Sequence, residues 1–178
     1  MRQWLYDMSM IPLDRFIALV DNRVIGRAPG LGIWLSKVEH GASPLLLRHL
    51  EHNRVFHEKV ALLSYVSDRR PRVPFHERYA VERLGHGFYR VQIRLGFMQT
   101  PDIPLTFQNL ELLGFDADVN RKHYYLAHET VVRREKDSAM GPVSFAIFSF
   151  LNKIASRAPD FFRIPQDGVI EVGFRVEV

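Results

Sequence analysis

The chain has 178 residues, of which 47% are hydrophobic and 25% charged, the make-up of one globular domain that buries about 70% of its unfolded surface. It contains no cysteine, which excludes disulfides, thiol nucleophiles and thiolate metal sites and fits a reducing compartment. A net charge of +4 and a pI of 9.6 suit an anionic lipid surface, a nucleotide, or a solvated basic face with no partner.

No run reaches the roughly 18 apolar residues that a membrane helix needs. The longest, Ser144 to Leu151, makes about two helical turns. Met1 to Trp4 leads into no apolar core of a signal peptide. A chain soluble by itself is expected, with any membrane part lying before Met1.

Residues 1–11 carry Trp4, Leu5, Met8, Met10 and Ile11, too apolar for a solvated tail, and read as a short arm or helix that packs on something. Pro12 then starts a helix with Leu13, Phe16, Ile17 and Val20 on one face. RAPGLG (Arg27 to Gly32) reads as a tight turn leading into a strand from Leu31 to Ser36. Ser43-Pro44 opens the next helix, which ends near Asn53. Lys59 to Val66 is a nearly unbroken apolar run of the kind a strand buried on both faces shows, so strand–helix–strand here predicts a parallel crossover.

After a polar loop, Asp68 to Pro74, Glu77 to Leu84 and Phe88 to Phe97 read as a hairpin about Gly85-His86-Gly87. Period two places Tyr89, Val91, Ile93, Leu95 and Phe97 on its apolar face and Arg90, Gln92 and Arg94 on the other. Asp102 and Pro104 announce a helix that Gly114 closes. His123 to Val132 reads as a strand, Pro142 to Ala155 as a helix, and Gly168 to Val178 as a final strand. Together these give an α/β sandwich: a mixed parallel and antiparallel sheet of about six strands with about four helices.

The candidate chemistry is sparse. His49, His52 and His57 have a spacing that a metal could use, but they fall on two elements, and a helix end that favours a positive imidazole explains His49 and His52 as well. The expectation is no metal and no cofactor. GRAPGLG precedes a strand and lacks Gly-Lys-Ser/Thr, unlike a phosphate loop. Asp102, Glu129 and Asp160 read as caps or loop acids without an acid/base spacing. With no nucleophile elbow either, an enzyme is not expected. Arg90 and Arg94, on the polar side of their strand, form the candidate regulatory face. Their strand carries its aromatics on the opposite side, which argues against a nucleic-acid platform. The phenylalanines of 142–155 leave two readings open, a helix buried on several sides or one whose face meets another chain.

One string is specific in another way. LGHGFYRV, with the arginine, GFM and PDIP that follow it up to Pro104, resembles the signature of the cytoplasmic C-terminal domain of the KUP family of bacterial potassium uptake permeases, and no generic physical demand produces it. PLDRFIALV (Pro12 to Val20) is similar to that family's helix at the membrane exit, and EHNRVFHEKV (Glu51 to Val60) to its histidine-containing run. The terminal block from Asn152 to Val178, with DFFRIP inside it, resembles the family's ending. Departures occur at Arg48-His49, at Leu31-Gly32, and at Ala127-His128, where the family shows Gly-Arg.

The resemblance implies residues 1–11 as a membrane-proximal arm and 12–178 as one domain on the cytoplasmic face of the bacterial inner membrane. It implies a proton-coupled potassium symporter whose transport residues lie in a membrane domain outside this sequence. The domain's implied role is regulation or assembly, with a homo-oligomer, a homodimer, as the expected form. Some members respond to cyclic di-AMP, so a regulatory nucleotide is the alternative partner.

Overall fold

A computed structural model describes residues 11–35, 41–116, 121–132 and 162–177. The arm before Ile11 and the expected 142–155 helix lie outside the described residues. The elements in chain order are α1 (Leu13–Arg23), β1 (Gly26–Leu35), α2 (Pro44–His52), β2 (Val55–Asp68), α3 (Phe75–Arg78), β3 (Tyr79–Gly85), β4 (Phe88–Gly96), α4 (Ile103–Leu112), β5 (Lys122–Val132), a short 3-10 turn (Gln166–Gly168) and β6 (Val169–Glu177).

Six strands form one sheet in the order β3-β4-β2-β1-β5-β6. All neighbours pair in parallel except β3 and β4, which form an antiparallel hairpin. This is the expected α/β architecture. Val60, Ala61, Leu62 and Leu63 at the centre of β2 are all buried, as a strand covered on both faces requires.

Each face has its own core. On one, Phe16 and Val20 of α1 and Leu46 and Leu50 of α2 meet Trp34, Phe56, Val60 and Phe88. On the other, Ile103, Phe107 and Leu110 of α4 cover Ile33, Leu63, Val91 and Ile93. The helix ends follow the sequence signals. Ser43 Oγ accepts from the Leu46 amide at 3.3 Å, and Asp102 Oδ1 from the Leu105 amide at 2.9 Å. Gly114, at φ 86°, closes α4 with bonds from its own N–H to the Glu111 carbonyl and from the Phe115 N–H to the Leu110 carbonyl, the Schellman pattern. His86 and Gly87 both have positive φ, the geometry that a two-residue hairpin turn matching strand twist demands.

Three expectations need correction. GRAPGLG is not a tight turn: β1 starts at Gly26, and its register against β2 steps from Ala28–His57 to Leu31–Lys59, one residue too many. Gly30, at φ 109°, absorbs this bulge, where the missing N–H of Pro29 is tolerated. The residues from Phe75 to Arg78 form one helical turn, so β3 begins at Tyr79 rather than Glu77. Phe97 does not join the apolar face of β4. The strand stops at Gly96, the chain turns back with the Gln99 N–H on the Gly96 carbonyl, and Phe97 is left 68% exposed.

Candidate functional site

The two arginines of the hairpin lie apart in their surroundings. Arg90 sits opposite Glu82 in the β3–β4 register, and its Nη1 meets Glu82 Oε2 at 2.6 Å. The ion pair that cross-strand geometry favours therefore engages its charge. Arg94 is exposed and lies within electrostatic reach of Asp68 and Glu77. Those two carboxylates are bridged by Arg70, at 3.0 and 2.8 Å. The hydrogen bonds from Arg70 hold the Asp68 carboxyl down at about 2. Of the two expected residues, Arg94 is exposed, whereas Arg90 is only partly so and its charge is met by Glu82.

The three spaced histidines do not converge on one point. His52 is exposed at the end of α2. His49 Nε2 donates to the Val55 carbonyl at 2.8 Å, and its Nδ1 accepts from Asn53 Nδ2 at 2.9 Å. That pair of bonds assigns the neutral Nε2–H tautomer. Burial also pushes the His49 imidazole below its usual pKa, so it is not the positively charged helix-end residue that the sequence suggested. Among the described residues no group of three His, Cys, Asp or Glu is placed to hold a metal.

His57 instead lies over Gly32, where a Cβ would come within 2.8 Å of its Nδ1 and 3.2 Å of Trp34 Nε1. Its ring is 4.9 Å from that of His123, a residue the sequence reading did not connect with it because their partnership depends on β1 lying between β2 and β5. Desolvation first, then repulsion from His123 and His49, lower its pKa to about 4. Beside it Trp34 stacks on Tyr125 at 3.9 Å, with its buried Nε1 lacking a hydrogen-bond partner. This cluster is an aromatic seam between β1, β2 and β5. It has neither an activated nucleophile nor a carboxylate to orient a base. Asp102, the remaining acid singled out, caps α4 and faces Arg163 at 3.4 Å. Glu129 falls on β5, and Asp160 lies outside the described residues.

A mostly parallel sheet with helices on both faces defines an α/β domain, and among the described residues the candidate side chains do not assemble into one catalytic or metal-binding group. The family model for the K+ potassium transporter C-terminal domain matches residues 29–178, and the chain belongs to that family. Its relatives include the probable potassium transport system protein Kup 1 of Geobacter sulfurreducens, 37% identical over 94% of this chain and 26% of that protein. The probable Kup protein of Pseudomonas putida is 37% identical over 97% of this chain and 27% of its own length, and that of Myxococcus xanthus 35% identical over 96% and 26%. The chain spans about a quarter of the length of these relatives. No solved structure matches, and no helix among the described residues is long and apolar enough to cross a membrane.

Proposed function

We propose that this chain is the cytoplasmic regulatory and assembly domain of a proton-coupled potassium uptake transporter, acting by self-association and by contact with a membrane domain of the same protein. The observation that carries this reading is the coverage: similarity runs through 94% of this chain but occupies 26% of a potassium transport system protein. That coverage supports reading the domain as a segment of a larger transporter, with ion binding in the remainder. Leu105, Leu112 and Leu113, exposed along and after α4, supply apolar surface that association would cover. Light scattering over a concentration series tests the assembly role. A mass that rises to a dimer supports it, and a strict monomer at the highest concentration removes it. Tethering to membrane parts raises the effective concentration, so weak association in isolation is sufficient.

A second reading, a nucleotide sensor, is favoured by strand order. The five parallel strands run β4-β2-β1-β5-β6, third-second-first-fourth-fifth in their own sequence, which is the order of dinucleotide-binding sheets. This is an analogy of topology, and function rests on sites rather than folds. Arg90 and Arg94 would serve such a site only if a nucleotide displaced Glu82 from Arg90. Thermal unfolding against cyclic di-AMP and ATP tests it. A ligand at a hundred times its dissociation constant adds about 2.7 kcal/mol, a rise of roughly 5–10 °C for a domain of this size. No shift across both nucleotides rejects the sensor.

A further inference from the structure

We propose that the Phe97–Met98 turn, with the arginines around it, is a docking surface for an anionic membrane interface. Phe97 and Met98 are 68% and 63% exposed, yet the backbone beneath them is fixed. The Phe97 N–H donates to the Arg70 carbonyl at 3.2 Å and the Met98 N–H to the Pro71 carbonyl at 3.0 Å. Gln99 Oε1 accepts from the amides of Gly96 at 2.9 Å and Val73 at 2.8 Å. The two side chains are thus held outward by a turn that is bonded to the neighbouring loop carrying the basic residues.

That loop places Arg69, Arg70 and Arg72 beside the turn, and Arg94 precedes it on β4. Arg70 is engaged by Asp68 and Glu77. Arg69 and Arg72 are exposed and hold no ion pair among the described residues, and Arg94 is exposed as well. Four guanidiniums against two carboxylates leave positive charge in surplus around an apolar tip. Guanidiniums bind lipid phosphates while an aromatic and a thioether enter the boundary between headgroups and acyl chains. Two adjacent apolar side chains on a turn are far short of the roughly 800 Å² that a stable protein partner covers, so a lipid surface is the occupant that suits them.

The position in the fold agrees. The tip lies beyond the carboxyl ends of β2 and β4. Ile11 lies at the same end of the sheet, because its carbonyl accepts from the Ala42 N–H just ahead of the N-cap of α2, a helix that returns to the start of β2. Under the proposed function a preceding membrane part would lie on this side. Only this orientation argument rests on that reading.

The test is cosedimentation of the 178-residue chain with vesicles of phosphatidylcholine, with and without phosphatidylglycerol. Binding is expected only with phosphatidylglycerol, and it should weaken as salt rises. Arg69→Gln with Arg72→Gln should lower partitioning about 30-fold, at about fivefold per guanidinium. Phe97→Ser with Met98→Ser should lower it about tenfold or more. A charge-matched control at the opposite end of the sheet, Arg23→Gln with Arg83→Gln, both exposed, should change it less than about threefold, since screening limits distant charges. All three are surface changes, and an unaltered unfolding midpoint verifies that each variant folds. Absence of binding, an equal loss in the opposite-end control, or full binding by the Phe97/Met98 variant would overturn the proposal. Retention on an acidic peptide without vesicle binding would assign a protein partner and overturn it too. Any of these leaves the assembly reading standing, since that is read from mass in solution.

Discussion

Gly96→Ala is the substitution that bears most directly on how the Phe97–Met98 turn is held. A Cβ built on Gly96 would press on the Pro71 carbonyl and come within 2.5 Å of the Arg70 carbonyl, whereas real Cβ atoms stay beyond 3.0 Å. Backbone on both sides must therefore retreat by at least 0.5 Å. Those two carbonyls accept the Met98 and Phe97 amides, so the retreat breaks or stretches two hydrogen bonds. At about 1 kcal/mol each, less the 0.4–1 kcal/mol or so that alanine returns by stiffening the unfolded chain, the net loss is about 1–1.6 kcal/mol. For a domain of this size that lowers the unfolding midpoint by roughly 2–6 °C. Calorimetry reads the midpoint, and hydrogen exchange reads the site: the Phe97 and Met98 amides should lose protection while those of β4 keep theirs. Gly173→Ala is the control, because nothing lies within 4 Å of a Cβ there, and it should be neutral or slightly stabilising. An unchanged or raised midpoint for Gly96→Ala, with protection retained, would refute the packing argument.

Two further outcomes follow from the cores. Phe107 is fully buried where α4 meets the sheet, so Phe107→Ala should cost about 3–5 kcal/mol and lower the midpoint by roughly 10 °C; a shift under a third of that, read by circular dichroism, would mean α4 is not seated as described. His57 has its pKa depressed to about 4, below the unfolded value near 6.5. The unfolded chain therefore binds more protons between those two pH values, and stability present above pH 6.5 is lost as pH falls toward 4. Midpoints measured from pH 7 to 4.5 should fall, and His57→Phe should flatten that fall; a pH slope identical in the variant would remove His57 as its source.

What the sequence revealed was local. Pro12, Ser43-Pro44, Asp102-Pro104 and Gly114 marked helix ends because caps act within a few residues of themselves, and period two marked β4. The bulge in GRAPGLG is not legible in the sequence because a bulge is defined by its partner strand: the same glycines make a turn or a bulged β1 according to what β2 places opposite. The exposure of Phe97 depends on Pro71 and Arg70 crossing behind Gly96, a contact across some 25 residues. The His57–His123 pair depends on the strand order, which periodicity does not encode. Arg90 and Arg94 looked alike on one strand, and only the register opposite Glu82 separated them. Family membership was legible because specific strings survive where physical pattern is generic.

The most direct test of the account is the native mass of a detergent-solubilised potassium transporter carrying this domain, compared with the same transporter lacking residues 12–178. If the domain assembles the transporter, the mass is a dimer's with the domain and a monomer's without it. An identical mass for both would contradict an assembly role.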